Sequence, residues 1–162
     1  MIRITKQADY GILFLTRIAR DPEREVFTAR DLAEEFHIGV PMVSKVLKLL
    51  TRGSVLRSQR GIKGGYSLAR SPGEITVSEI VAALDGPIAI TECAGSQPTD
   101  CRTEPYCAVA EPWQRINQAI VEALNGITLE QMCGEAGCRV PAIPELSARR
   151  DGDPSPTPTM NV

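Results

Sequence analysis

The chain is poor in aromatic residues: they make up 4% of its 162 positions, with one tryptophan, Trp113. Leu, Ile, Val and Ala must therefore fill the core, and a hydrophobic content of 43% suffices for one ordinary domain with appendages. No apolar run approaches the roughly 18 residues of a membrane helix, so no helical span is expected, and no membrane partner. The opening residues, MIRITKQADYGILFL, begin an amphipathic pattern without a continuous apolar stretch or a small-residue cleavage site. No secretory leader is expected, and the location expected is cytoplasmic. Histidine occurs once, at His37. With a single imidazole, no Ser/His/Asp constellation and no phosphate-cradling glycine loop, neither an enzyme nor a small-molecule substrate is expected.

Another absence is local. Between His37 and Gly73 there is no Asp or Glu, yet seven cations occur: Lys45, Lys48, Arg52, Arg57, Arg60, Lys63 and Arg70. The formal net charge of the whole chain is only -2, so the remainder is strongly acidic. A block of one sign inside an acidic protein is a candidate phosphate-binding face.

Periodicity gives the elements. A first helix is expected from Thr5 to about Arg20, with Ala8, Ile12, Leu15 and Ala19 on one face, joined by Leu13 and Ile18. Thr28 opens a second helix in a T-x-x-D arrangement with Asp31, and this helix ends near His37. A third runs from Val40-Pro41 to Gly53, its core side marked by Val43, Val46, Leu47 and Leu50. Val55-Leu56 and Tyr66-Leu68 read as two strands around RGIKGG, a hairpin with a basic glycine tip. Thr76 and Glu79 form the capping box of a fourth helix, which stops at Gly86. After Pro112 comes a long amphipathic helix carrying Trp113, Ile116, Ile120, Val121 and Leu124, whose apolar face suits a second copy of itself. Trp113 reads as a core or dimer anchor, and Thr128 caps a last short turn. Residues 134–162 are proline-rich, poor in large apolar side chains, and expected to be disordered.

Three helices followed by a basic hairpin is the order of a winged helix-turn-helix. The fold class expected is mainly α with a small β-wing, plus a long dimerisation helix. The domains expected are a DNA-binding domain over 1–86, a cysteine loop over 87–111 and a dimerisation segment over 112–133. In this arrangement the third helix enters the major groove of double-stranded DNA and the wing reaches the backbone or minor groove. Pro41, Met42, Ser44, Lys45, Lys48 and Arg52 then face DNA on the helix, Met42 against a thymine methyl or simply covering the surface. Arg60, Gly61, Lys63 and Gly64 do so on the wing, where Gly61, Gly64 and Gly65 give the backbone freedom to approach closely.

Five cysteines are present, and three of them fall in CAGSQPTDCRTEPYC, as Cys93, Cys101 and Cys107. An odd count in a cytosolic chain fits metal or redox chemistry better than a disulfide framework. Thiolates on a flexible Gly/Ser/Pro loop are suited to an iron–sulfur cluster, and their spacing is wider than the C-x2-4-C pairs of structural zinc. A zinc site or a cluster-free thiol switch on the same loop stays open. Cys133 and Cys138, spaced C-x4-C, read as accessory thiols rather than ligands.

TKQADYGILFLTRIA, TARDLAEEFHIGVPMVSKVLKLLTRGSVLRSQRGIKGGYSLAR and GPIAITEC resemble the iron–sulfur-cluster regulators of the IscR/NsrR type, bacterial winged-helix transcription factors. The resemblance spans about residues 1–133, with RGIKGGYSLAR and GPIAITEC its most specific parts, and it is strongest to regulators of the SUF iron–sulfur assembly system. It implies a homodimer built on the long helix, a palindromic operator, repression, and an iron–sulfur cluster on the cysteine loop, [2Fe-2S] in preference to [4Fe-4S]. Some members use a His three residues after the last cysteine as fourth ligand, but here that position is Ala110. Asp9, in ADYG, matches the family position from which an aspartate of the first helix reaches the other subunit's cluster. Glu104 and Glu111 are nearer in sequence, and His37 reads as a turn residue.

Overall fold

The structure, a computed structural model, describes residues 4–61, 63–95, 101–103 and 106–134. The expected disorder of the C-terminal tail falls on residues outside that set, apart from Gly134, and so does Cys138.

Helix α1 (Lys6–Ala19) starts where Thr5 accepts a hydrogen bond from the Ala8 N–H at 3.1 Å. The Thr5 hydroxyl also donates to the Asp85 carboxylate at 2.8 Å, and the Gln7 amide donates to the Leu84 carbonyl at 2.6 Å. These bonds lash the start of α1 to the end of helix α4 (Val77–Asp85). The two helices cross closely: a Cβ at Gly11 would lie 2.3 Å from Leu84 Cδ1. Phe14, Leu15 and Ile18 are buried, whereas Leu13, expected on the core side, is 39% exposed. Phe14 takes the inward direction, and its neighbour one residue earlier is turned about 100° away.

Helix α2 (Ala29–Phe36) carries the reciprocal Thr28–Asp31 capping box and ends at His37, whose φ of 53° places it in the left-handed region. Helix α3 (Val40–Arg52) takes Pro41 in its first turn and buries Val43, Val46, Leu47 and Leu50. With α1, α2 and α4 it encloses the core.

Strands β1 (Leu56–Gln59) and β2 (Gly65–Leu68) pair antiparallel, Leu56 opposite Leu68 and Gln59 opposite Gly65. The hairpin is held to the body through Phe27, which exchanges two backbone hydrogen bonds with Tyr66, at 2.9 and 2.8 Å. Phe27 is fully buried, with the guanidinium groups of Arg17 and Arg24 over its ring at 5.0 and 4.4 Å.

Helix α5 (Ala110–Asn125) begins two residues before Pro112, which sits in its first turn, where a proline costs no intrahelical bond. Helix α6 (Leu129–Met132) has a Thr128–Gln131 capping box. It turns back onto the body: the Leu129 N–H donates to the Ile75 carbonyl at 2.8 Å, and the Leu129 side chain is fully buried in the core. The architecture is mainly helical with one two-stranded sheet, a winged helix-turn-helix followed by a long helix.

Candidate nucleic-acid interface and cysteine loop

The buried residues of α3 recur at helical spacing, so the opposite face is turned outward. Pro41, Met42, Lys45, Lys48 and Arg52 are exposed, and Ser44 is half-buried. Pro41, Ser44, Lys45, Lys48, Leu49 and Arg52 line an open groove of about 430 Å³ along the helix. Leu49 is the member that the charge pattern did not announce.

On the wing, Arg60, Gly61 and Lys63 are exposed and Gly64 is half-buried. Gly61 has a φ of 121°, a conformation that L residues rarely adopt. The space at the next two glycines is taken by the protein itself. A Cβ at Gly64 would lie 2.5 Å from the Gln59 carbonyl oxygen, and one at Gly65 would lie 2.8 Å from that of Phe27. Hairpin closure and docking therefore account for Gly64 and Gly65.

The acid-free block divides in two. Arg70 donates to Glu79 at 2.9 Å and to the Glu74 carbonyl at 3.2 Å, and Arg57 donates to the Ala69 carbonyl. Burial raises the Glu79 carboxyl, but the Thr76 N–H and the Arg70 guanidinium outweigh it and hold the group below the usual carboxylate value. Among the described residues, Lys45, Lys48, Arg52, Arg60 and Lys63 enter no ion pair. Five cations on one helix face and one hairpin tip thus have their charge uncommitted among the described residues.

The cysteine loop connects α4 to α5. Cys93 lies in a single 3-10 turn, Glu92–Ala94, and Cys107 lies three residues before α5. Cys93, Cys101 and Cys107 are all half-buried. Two threonines, absent from the sequence reading, touch the sulfurs: Thr91 Oγ1 is 3.4 Å from Cys93 Sγ, and Thr103 Oγ1 is 3.3 Å from Cys101 Sγ. Asp9 is exposed on the first turn of α1, and Glu111 is exposed on the first turn of α5; Glu104 lies outside the described residues. Among the described residues, no group of three or more His, Cys, Asp or Glu side chains is gathered to hold a metal ion within one chain. The donor set nonetheless suits a thiolate-ligated cluster: three accessible sulfurs on one loop, two with hydroxyls beside them.

On α5 the large apolar side chains Trp113 and Ile116 are 39% and 46% exposed. The one buried residue of this helix is polar: Asn117, which nothing in the sequence pattern marked. No described helix is long and apolar enough to cross a membrane.

Comparison with known proteins agrees with this geometry. The family model Rrf2, described as an iron-dependent transcriptional regulator, matches residues 4–135. The chain is 27% identical over 157 residues to a putative HTH-type transcriptional regulator, ORF2, of Azotobacter vinelandii, covering 97% of this chain and 93% of that protein. It is 25% identical over 167 residues to the HTH-type transcriptional regulator IscR of Xenorhabdus nematophila, covering 99% and 98%. Among solved structures, CymR (YrzC), the global cysteine regulator of B. subtilis, superposes with a TM-score of 0.63 at 26% identity, over 82% of this chain and 96% of that one. IscR of T. potens superposes with a TM-score of 0.59 at 24% identity, over 81% and 85%.

Proposed function

Because the chain belongs to the Rrf2 family of iron-dependent transcriptional regulators, and is thus a DNA-binding regulator rather than an enzyme, we propose that an iron–sulfur cluster on its cysteine loop sets how firmly it holds its operator. In this reading the protein is a cytoplasmic homodimer on a palindromic site. It represses iron–sulfur assembly genes of the SUF type while the cluster is present.

The observation that carries the reading is the position of the loop. It is the connection between α4, which packs on α1 and α3, and α5, which turns Trp113 and Ile116 to solvent. The loop is thus one of the ties, beside the α4–α5 packing and the return through α6, that set the relation between the DNA-reading body and the long helix. Cys93, Cys101 and Cys107 would hold the cluster, a [2Fe-2S] form in preference to [4Fe-4S], and Asp9 of a second copy would be the fourth ligand. When bound, it supplies a cross-link that iron loss or oxidation removes.

The chain's own residues do the rest. Lys45, Lys48 and Arg52 neutralise phosphates along the major groove, and Pro41, Met42 and Ser44 meet base edges or sugar. Arg60 and Lys63 anchor the wing to the backbone, with Gly61 and Gly64 shaping its tip. Residues 112–133 pair the two copies through Trp113 and Ile116, which sets the spacing of the two recognition helices against the half-sites.

An anaerobic preparation tests the reading. Visible absorption with bound iron and sulfide is expected, lost in Cys93→Ala, together with an operator affinity that changes when the iron is stripped. Affinity indifferent to iron removal sinks it. A second reading is a cluster-free thiol switch or a zinc site on the same loop; the thiol switch is the one favoured by the finding that, among the described residues, no group of three donors is gathered within the single chain. Colourless, iron-free protein whose operator binding responds to thiol oxidation or zinc would establish that alternative.

A further inference from the structure

Asn117 is 8% exposed and is the one residue of α5 that is buried. Its side-chain amide donates two hydrogen bonds, to the carbonyls of Ile88 and Ala94, each at 3.1 Å. Its oxygen accepts one from the Ile90 N–H, also at 3.1 Å. Both donor hydrogens and the acceptor are therefore engaged, and the pattern fixes which way the amide points. All three partners lie on the arm that leads out of α4, and the last of them is the residue after Cys93. An open groove of about 430 Å³ adjoins the clamp, lined by Ser78 and Ala82 of α4, Ile88 and Ala94 of the arm, and Asn117 of α5 among others. The arm is thus held to α5 by a direct polar clamp beside a space that packing leaves unfilled.

We propose that Asn117 is the positioning residue for Cys93: it sets this thiol for ligation and ties the ligand arm to the long helix. The ligation half of the proposal rests on the cluster reading above. An amide serves here because it both donates to carbonyls and accepts from an N–H. A carboxylate keeps the Ile90 bond but faces two carbonyl oxygens with nothing to donate, and a methyl leaves all three backbone groups without a partner.

The test uses Asn117→Asp, nearly the same shape, and Asn117→Ala, with Gln118→Ala as control, since Gln118 is exposed and among the described residues donates to Glu122 on its own helix. In the full-length, cluster-free protein, alkylation of each cysteine by iodoacetamide is followed by mass spectrometry. Both Asn117 variants are expected to raise the rate at Cys93 roughly tenfold while leaving Cys107 as in the wild type. After anaerobic reconstitution they are expected to lose visible absorption to a chelator about 10- to 100-fold faster, the usual scale for removing an outer-sphere support. Should Asn117→Ala not fold, Asn117→Asp carries both readouts. Unchanged rates at Cys93, or equal increases at both cysteines, overturn the proposal, because the first denies the clamp and the second is general loosening. A wild-type protein that takes up no cluster sinks the reading of function instead. In that case selective exposure of Cys93 still upholds the clamp, and its absence still removes it.

Discussion

At the scale of the residue, the least forgiving positions are those where backbone meets backbone. Gly65 is one, because a Cβ there would press on the Phe27 carbonyl at 2.8 Å and on its carbonyl carbon at 3.1 Å. Neither atom belongs to a side chain that can swing aside. Gly65→Ala should lower stability by about 1–3 kcal/mol in urea unfolding, by overpacking the join between wing and body. The capping carboxylates make a pH prediction. Asp31 is held below its ordinary 3.8 chiefly by the Thr28 N–H, with Arg24 assisting. Glu79 is held below 4.5 because the Thr76 N–H and Arg70 together exceed the opposing effect of burial. A depressed carboxyl stabilises the fold above its unfolded-state value and loses that contribution as pH falls through the folded-state value. The wild-type advantage in melting temperature over Glu79→Gln should therefore be constant from neutral pH downward and shrink once the pH passes below 4.5.

At the scale of the element, the legible parts were those whose cause is local. The boxes Thr28–Asp31, Thr76–Glu79 and Thr128–Gln131 join residues three apart, so the letters alone place the helix starts. The α3 stripe and the basic hairpin were likewise visible, because periodicity and charge are properties of one segment. What stayed hidden depends on segments meeting. The Phe27–Tyr66 bridge joins residues 39 apart, and Leu129 belongs to a core whose other members lie far upstream. Asn117 reads as one more polar residue on an amphipathic helix until the arm before Cys93 is laid against it. Arg70 shows the converse: it counted toward the basic block until Glu79 came alongside. Arg60 is exposed and enters no ion pair among the described residues. Arg60→Ala should weaken operator binding similarly across sequences and reduce the slope of log affinity against log salt by about 1, measured by fluorescence anisotropy across a salt series. An unchanged slope would remove the wing contact.

At the scale of the whole molecule, an acidic protein with a sequence pI near 5.5 presents uncommitted cations on one helix and one hairpin. If that face is the one that meets DNA, as proposed, charge would orient the encounter before contacts form. Two-fold pairing through α5 is the other global requirement of the proposed function. Trp113→Glu, at a position 39% exposed in the single chain, should leave the fold intact and shift the protein toward monomer in sedimentation velocity, with loss of operator binding. A dimer that withstands this change would remove Trp113 from the interface. The return of the chain after α5 has a mechanical consequence. The long helix is fastened at its midpoint by Asn117 and, just beyond its far end, by Leu129 beneath α1. A beam pinned at one point merely swings, whereas one held at two passes torque along the length between them. Deleting the final turn would at once open a hole under α1 and remove one of the two fastenings.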